Sequence, residues 1–414
     1  MSLRISVLAI GDELLSGELS DTNTAAIARL LAAKGFALQD SRSVRDLLEP
    51  MVEALRALAA QRDCVIVTGG LGPTADDLTA QAAALAFACP QQLNAEALAQ
   101  VQRHFERLGR EMHPRNEKQA HLPQGIEILP NHQGTAPGFR LQHGGCELFF
   151  LPGVPAEMVA MLEQSVLPAL LRRVEATDIL GERILKVFGL SEPKTEELLE
   201  QIGMPTGVQV AFGVDFPCVH VKLRAMGEDA EALLDQAEQQ ARRALGEFIF
   251  ARGADTLAET VGRQLIQAGK TLALAESCTG GLIAQLLTDL PGASAFFERG
   301  GVTYANRAKC DWLQVPVSLL EEQGAVSEAC ALAMARGIRQ VAGTDLGLAV
   351  TGIAGPTGGT PDKPVGTVFI ALTTAATERV QRFHFSGDRR KVRLLTACMG
   401  LDWLRRQLAV KEAE

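Results

Sequence analysis

Over the first 175 residues, short continuous apolar runs alternate with longer stretches in which apolar side chains recur at every third or fourth position. Ile5–Gly11 (ISVLAIG), Asp63–Gly70 (DCVIVTGG) and Glu147–Gly153 (ELFFLPG) are runs of the first kind. Continuous Val, Ile and Leu are what a parallel strand shows when both its faces are covered. Thr24–Gly35, Leu47–Gln61, Asp77–Ala88 and Ala156–Val174 carry the period of amphipathic helices. Strands and helices in this rhythm predict a parallel sheet with helices packed on it.

From 176 to 252 the texture changes. Glu182–Leu190 and Val219–Met226 predict strands, while Lys194–Gly203 and Glu228–Gly246 predict highly charged helices. From 253 onward the first rhythm returns. Thr271–Ser277, Leu346–Gly355 and Gly366–Ala375 are strand candidates, and Ala254–Lys270, Glu328–Gly343 and Asp388–Ala409 are helix candidates. The pattern predicts two doubly wound α/β domains, 1–175 and 253–414, joined by a small α+β domain at 176–252. A length of 414 residues exceeds what one core usually supports, which agrees with several domains.

Composition narrows the function classes. A net charge of −9 argues against a general binder of nucleic acid or of anionic membranes. The eight cysteines are scattered, with no CxxC pair, as expected of reduced thiols rather than a disulfide frame or zinc site. The N-terminal apolar run is too short for a signal sequence, and no stretch approaches a membrane span. The expected location is cytoplasmic.

Candidate chemistry gathers where predicted strands end. AESCTGGL, Ala275–Leu282, offers Ser277 and Cys278 as nucleophiles and Glu276 as an acid or base. A thiolate needs a basic neighbour, and His384, inside the strand-like FHF, is the histidine of this region. A Cys278–His384 dyad is thus one reading, and Cys278 as a packing residue is the other. Ser277 sits where a strand gives way to glycines and a helix start, whose free N–H groups suit an oxyanion or phosphate. The plainer reading makes Ser277 or Thr279 a helix cap. Lys309, in TYANRAK, becomes a base for Ser277 only if burial depresses its pKa; by spacing alone it is a solvated helix lysine. Tyr304, the chain's only tyrosine, offers a hydroxyl to relay or orient. TGIAGPTGG (Thr351–Gly359) also follows a strand, and Arg389 in FSGDRRKVR suits a phosphate or carboxylate. In the first domain TGGLGPTADDLT (Thr68–Thr79) forms a glycine-freed loop able to cradle a phosphate. Asp12, Asp76, Asp77 and Glu157 are oxygen donors suited to a hard cation beside it, and Asp76 also reads as an N-cap.

AESCTGGLIAQLLTDLPGAS, GGVTYANRAK, GAVSE, TGIAGPTGGTPDKPVGTVF and SGDRRKVR together resemble the nicotinamide-nucleotide amidase domain of the CinA (competence/damage-inducible protein A) family. The resemblance spans 255–410. It implies hydrolysis of nicotinamide mononucleotide (NMN) to nicotinic acid mononucleotide and ammonia, with Ser277 as nucleophile, Lys309 as base and Tyr304 assisting. It places Thr279, Gly280, Ser294, Asn306, Thr351, Gly352 and Arg389 in the substrate pocket and implies no cofactor for this step. GDELLSGELSDTNTAAIA, VIVTGGLGPTADDLT, HPRNEKQAHLP, LPNHQGTAPGF and FLPGVPAEM resemble the same family's molybdopterin-binding-like domain. That likeness implies a pyrophosphatase for ADP-ribose needing a divalent metal such as Mg²⁺. Asn23, Gly69, Gly70, Gly72, Thr74 and Asp76 would then bind the ligand, and Asp12, Asp77 and Glu157 the metal. Where the family has N-T-N, this chain has Asp21-Thr22-Asn23, a swap that bears on metal or ligand preference. The middle part resembles the family's KH-like domain but lacks a GxxG loop with basic flanks, so nucleic acid is not an expected partner. The expected partners are small nucleotides and further copies of the chain, in a homo-oligomer expected to be a dimer. Two other classes stand beside this reading: a first domain that binds a pterin or nucleotide without turnover, and an accessory factor in competence or DNA damage.

Overall fold

A computed structural model of the chain describes residues 3–174 and 181–409. The expected junction of the first two domains, at 175/176, lies outside the described residues. The chain divides into two compact units, Met1–Glu182 with Arg224–Leu234, and Arg183–Leu223 with Asp235–Glu414.

The first unit is built on a six-stranded sheet in the order Leu38–Val44, Ile5–Ile10, Cys64–Thr68, Cys146–Leu151, Gly138–His143, Glu127–Leu129. Its first four strands run parallel and its last two antiparallel, so the sheet is mixed rather than wholly parallel. Alternate side chains of one strand feed opposite faces. Val65 and Val67 pack with Met51, Leu55 and Leu58 of the helix Leu48–Ala59. Ile66 packs instead with Ile27 and Leu31 of Thr22–Ala32 and with Met158 and Met161 of Pro155–Met161. The sheet is therefore covered on both sides, as the apolar runs required.

The middle sheet has the order Gln209–Asp215, Cys218–Ala225, Gly181–Val187, Ile249–Arg252, with helices Glu192–Ile202 and Ala230–Leu245. The C-terminal sheet has the order Phe297–Val302, Leu272–Glu276, Leu346–Gly352, Thr367–Thr373, Glu378–His384; three parallel strands are followed by two antiparallel ones. Leu272, Leu274, Leu348 and Val350 face the helices Leu257–Gln267 and Arg389–Ala409. Ala273, Ala275 and Ala349 face Met334 and Ile338 of Glu328–Ala342. Phe188 and Phe250 from the middle part belong to the same core as the C-terminal strands. Among the described residues no helix is long and apolar enough to cross a membrane.

Candidate active site

Parallel pairing sets the geometry. Glu276 lies opposite Val350 on one side and Val302 on the other, so Ser277, Thr351 and Thr303 emerge together at the carboxyl edge of the sheet. Ligands collect at this edge in open α/β sheets. After Thr303 the chain enters the helix Asn306–Leu313, which returns Lys309 to Ser277. Lys309 Nζ lies 3.3 Å from Ser277 Oγ and donates to the carbonyls of Thr303 at 2.8 Å and Tyr304 at 3.1 Å. Only 1 % of the lysine is exposed. Burial drives its pKa below the ordinary lysine value. Burial also pushes two neighbouring thiols up, Cys278 to about 12 and Cys330 to about 11, so neither is an anion at neutral pH. The solvated-lysine reading is thereby excluded.

Cys278 packs in the apolar core, and its raised pKa leaves it a thiol at neutral pH. His384 is exposed on the edge strand, three strands from Leu272–Glu276. At about 4.8 Å per strand that is roughly 14 Å. The Cys278–His384 dyad is not formed.

The turn after Ser277 differs from the expected open helix start. Gly281 is the N-cap of Leu282–Thr288, and neither Ser277 nor Thr279 caps it. Instead the buried Glu276 carboxylate accepts the N–H groups of Gly281 at 3.0 Å, Ile283 at 3.1 Å and Ala284 at 2.8 Å. The amides expected to be free at the helix start are therefore occupied. The turn is closed by Gly280 N–H donating to the Ser277 carbonyl at 3.1 Å. Gly280 and Gly281 adopt φ of +61° and +94°, which only glycine adopts without strain. Among the described contacts the N–H groups of Cys278 and Thr279 have no oxygen acceptor, and both lie against the Cys278 sulfur. Arg393 fixes the turn from behind, donating from Nε at 3.0 Å and Nη2 at 2.5 Å to the Thr279 carbonyl.

A cleft of about 650 Å³, its open mouth included, is lined by Ser277, Cys278, Tyr304, Lys309, Thr351, Gly352 and Arg389, with Ala325, Val326 and the loop after Gly352. Arg389 spans it, donating to the Gly355 carbonyl at 2.8 Å and to the Tyr304 hydroxyl at 2.9 Å. Tyr304 thus touches Lys309 through its carbonyl and Arg389 through its hydroxyl. Thr351 Oγ1 donates to the Ala325 carbonyl at 2.8 Å, holding that wall in place. Thr279 and Gly280 shape the turn without lining the cleft. Ser294, exposed in the turn Ala293–Ala295, and Asn306, exposed at the helix start, do not line it either.

In the first unit, Gly69 and Gly70 follow Cys64–Thr68 with φ of +100° and +64°. A Cβ on Gly69 would meet the Ile10 carbonyl at 2.2 Å, and one on Gly70 would meet Thr79 Oγ1 at 2.3 Å, so two strand ends close tightly here. Gly72 lies against Asp77, whose carboxylate accepts from Thr74 N at 2.8 Å and from the Thr74 hydroxyl. Asp76 is exposed and does not cap the helix Thr79–Ala86, whose N-cap is Leu78. Asn23 donates to the Gly153 carbonyl at 2.7 Å. Asp21 is the N-cap of Thr22–Ala32, accepting from Thr24 N and Oγ1, so its carboxylate serves the helix rather than a ligand. The expected cation donors do not converge. Asp12 is paired with Arg45 at 3.0 and 3.1 Å, which holds its carboxyl below the usual range, Asp77 turns onto Thr74, and Glu157 accepts from Asn131 at 2.7 Å. Among the described residues no group of three His, Cys, Asp or Glu side chains is arranged to hold a metal ion.

Comparison with known proteins decides the family. Residues 6–172 match the model of a probable molybdopterin binding domain, 182–251 the damage-inducible protein CinA KH domain, and 254–408 the CinA C-terminal domain. The CinA-like protein of Syntrophotalea carbinolica is 61% identical over 99% of both chains. The chain belongs to the CinA family. The CinA-like protein of Geotalea uraniireducens is 48% identical, covering 100% of this chain and 99% of that one. A crystal structure of a CinA superfamily protein from Klebsiella pneumoniae is 39% identical, covers 37% of this chain and 96% of its own, and has a TM-score of 0.36. The molybdopterin biosynthesis enzyme MoaB from Thermus is 23% identical over 41% of this chain and 93% of its own, with a TM-score of 0.29.

The sequence did not single out Arg393 in this CinA-family site, and it offered Glu276 only as an acid or base. Arg393 lies one helical turn beyond Arg389, a spacing that places both on one face and could have flagged it. The capping role of Glu276 had no such signal, since it depends on how the turn folds back.

Proposed function

We propose that the C-terminal part is a Ser/Lys amidohydrolase that converts NMN to nicotinic acid mononucleotide and ammonia. The contact between Ser277 and the buried, carboxylate-free amine of Lys309 carries the reading. Two of the lysine's hydrogen-bonding positions are taken by carbonyls, which leaves the third for Ser277 Oγ. In its neutral form Lys309 removes the hydroxyl proton as Oγ attacks the carboxamide carbon, and the main-chain N–H of Cys278, which borders the cleft beside Ser277, receives the oxyanion. Lys309 returns the proton to the departing ammonia. A water, deprotonated by the same amine, then releases the acid from Ser277. Arg389, at the cleft mouth with N–H groups to spare, suits the nucleotide phosphate. Ammonia release tests the assignment. Ser277→Ala loses turnover by roughly 10⁶ while still binding NMN, as when a serine nucleophile is removed elsewhere. Cys278→Ala keeps most activity. An inactive Cys278→Ala beside an active Ser277→Ala overturns the proposal.

For the first unit we propose binding of a nucleotide such as ADP-ribose at the Gly69–Gly70 turn, where two strand ends close tightly. Product analysis after incubation with ADP-ribose and Mg²⁺ tests this. Cleavage by the wild type that Asp77→Ala abolishes would replace it with the pyrophosphatase reading.

A further inference from the structure

Glu276 is a buried carboxylate next to the nucleophile, and the steps above make no use of it. It carries no ion pair among the described contacts. Its two oxygens take three main-chain N–H groups, from Gly281, Ile283 and Ala284. Its own carbonyl accepts from Thr303 N at 2.8 Å, so the residue ties the strand end to both chain segments that carry the reacting pair. We infer that Glu276 is a positioning residue for acyl transfer: by filling the helix start it sets the turn that carries Ser277 and the main-chain N–H of Cys278 beside the cleft.

The inference rests on the amidohydrolase reading of Ser277. An uncapped helix start would offer its amides to any anion and would let the turn relax toward it. With Glu276 in place those amides are spent, and the turn is held at both ends, by Gly280 on the Ser277 carbonyl and by Gly281 on Glu276. Arg393 grips the carbonyl between them. Donors held in advance of the reaction are what makes an oxyanion site effective, and removing one costs on the order of 10²–10³ in kcat. Glu276→Gln leaves every oxyanion donor present but opposes an NH₂ group to at least one of the three amides, so the expected loss is smaller, on the order of 10–10². The loss falls on kcat. KM stays within about threefold, because the phosphate contacts lie across the cleft, and the acid limb of the pH profile, set by Lys309, does not move.

The test compares wild type, Glu276→Gln and Ala284→Pro in the full chain. Ala284→Pro removes one of the three donors while keeping the carboxyl group, in the first helical turn where proline breaks no helix bond, and its ring displaces the oxygen that the N–H had met. It should lower kcat a few-fold with KM unchanged, and it decides the matter if Glu276→Gln fails to fold. A second readout is the rate at which a fluorophosphonate labels Ser277, which needs the nucleophile and the oxyanion donors but not NMN. Labelling should slow in step with kcat. If the wild type labels but releases no ammonia from NMN, the substrate reading falls while slowed labelling of the variants still supports Glu276. Unchanged kcat and labelling in a folded variant with a lowered melting temperature would reduce Glu276 to a helix cap and overturn the inference.

Discussion

Replacing Lys309 with methionine keeps the side-chain length and removes the amine. Turnover should fall by 10²–10⁴ for a lost general base, and toward roughly 10⁶ where base and nucleophile act as a unit. Stability should change in a pH-dependent way. Methionine leaves the Thr303 and Tyr304 carbonyls without their donor, at about 1–3 kcal/mol each. The wild type carries an opposite burden, since each unit by which burial lowers the lysine pKa is worth about 1.4 kcal/mol. The folded-state value lies below the ordinary 10.5, so between the two values the unfolded chain holds more protons than the folded one. Stability of the wild type therefore rises with pH through that window; the burden is full below the folded pKa and gone above 10.5. The advantage of wild type over Lys309→Met should grow from neutral pH upward. Urea unfolding followed by tryptophan fluorescence reads this domain directly, because the chain's two tryptophans are Trp312 and Trp403. A stability difference that stays flat from neutral pH to 10.5 would refute a depressed lysine, and with it the base.

Other substitutions probe the frame around the site. Asp402, buried and bonded to Arg405 at 2.7 Å and Arg406 at 2.7 Å, should cost about 3–5 kcal/mol as Asp402→Ala, since Arg405 is left buried and unpaired; a loss under 1 kcal/mol by urea titration contradicts this. Asp21→Asn should leave both stability and ligand binding of the first unit unchanged, whereas Asp21→Ala loses a cap worth about 1 kcal/mol; calorimetry separates the two. A fragment starting at Gly253 should melt below one starting at Gly181, because Phe188 and Phe250 leave the core, each burial being worth about 1.5–3 kcal/mol. Equal midpoints in scanning calorimetry would contradict that.

How much of this was legible depends on what decides each feature. Ile5–Ile10 and Cys64–Thr68 are buried along their whole length, so their apolar runs announce them. Leu38–Val44 (LQDSRSV) and Phe297–Val302 (FERGGV) are edge strands with polar residues and glycines, and no periodicity marks them. Thr367–Thr373 is buried along its whole length and so reads like a parallel strand, while the mostly exposed Glu378–His384 (ERVQRFH) has no apolar run to mark it. Ser277 was legible because strand, glycine turn and helix lie together in sequence. The state of Lys309 was not, because 32 residues separate it from Ser277 and its burial depends on elements packed around both. The helix-start expectation failed for a local reason: the residue just before Ser277 supplies its own anion to those amides.

Two peptide carbonyls, rather than a carboxylate, hold the Lys309 amine. The proposed proton-transfer pair thus contains no ion pair for dissolved salt to screen, whereas the anionic nucleotide proposed as substrate would meet Arg389 at the open mouth, where screening acts over about 10 Å at 0.1 M salt. Ionic strength then divides the reaction into two responses. Capture of the nucleotide weakens as salt is added, while the bond-breaking step, sheltered among neutral dipoles, keeps its rate. A nucleoside without the phosphate would be indifferent to salt at both stages, and would be selected against by its failure to be drawn in rather than by any failure of chemistry.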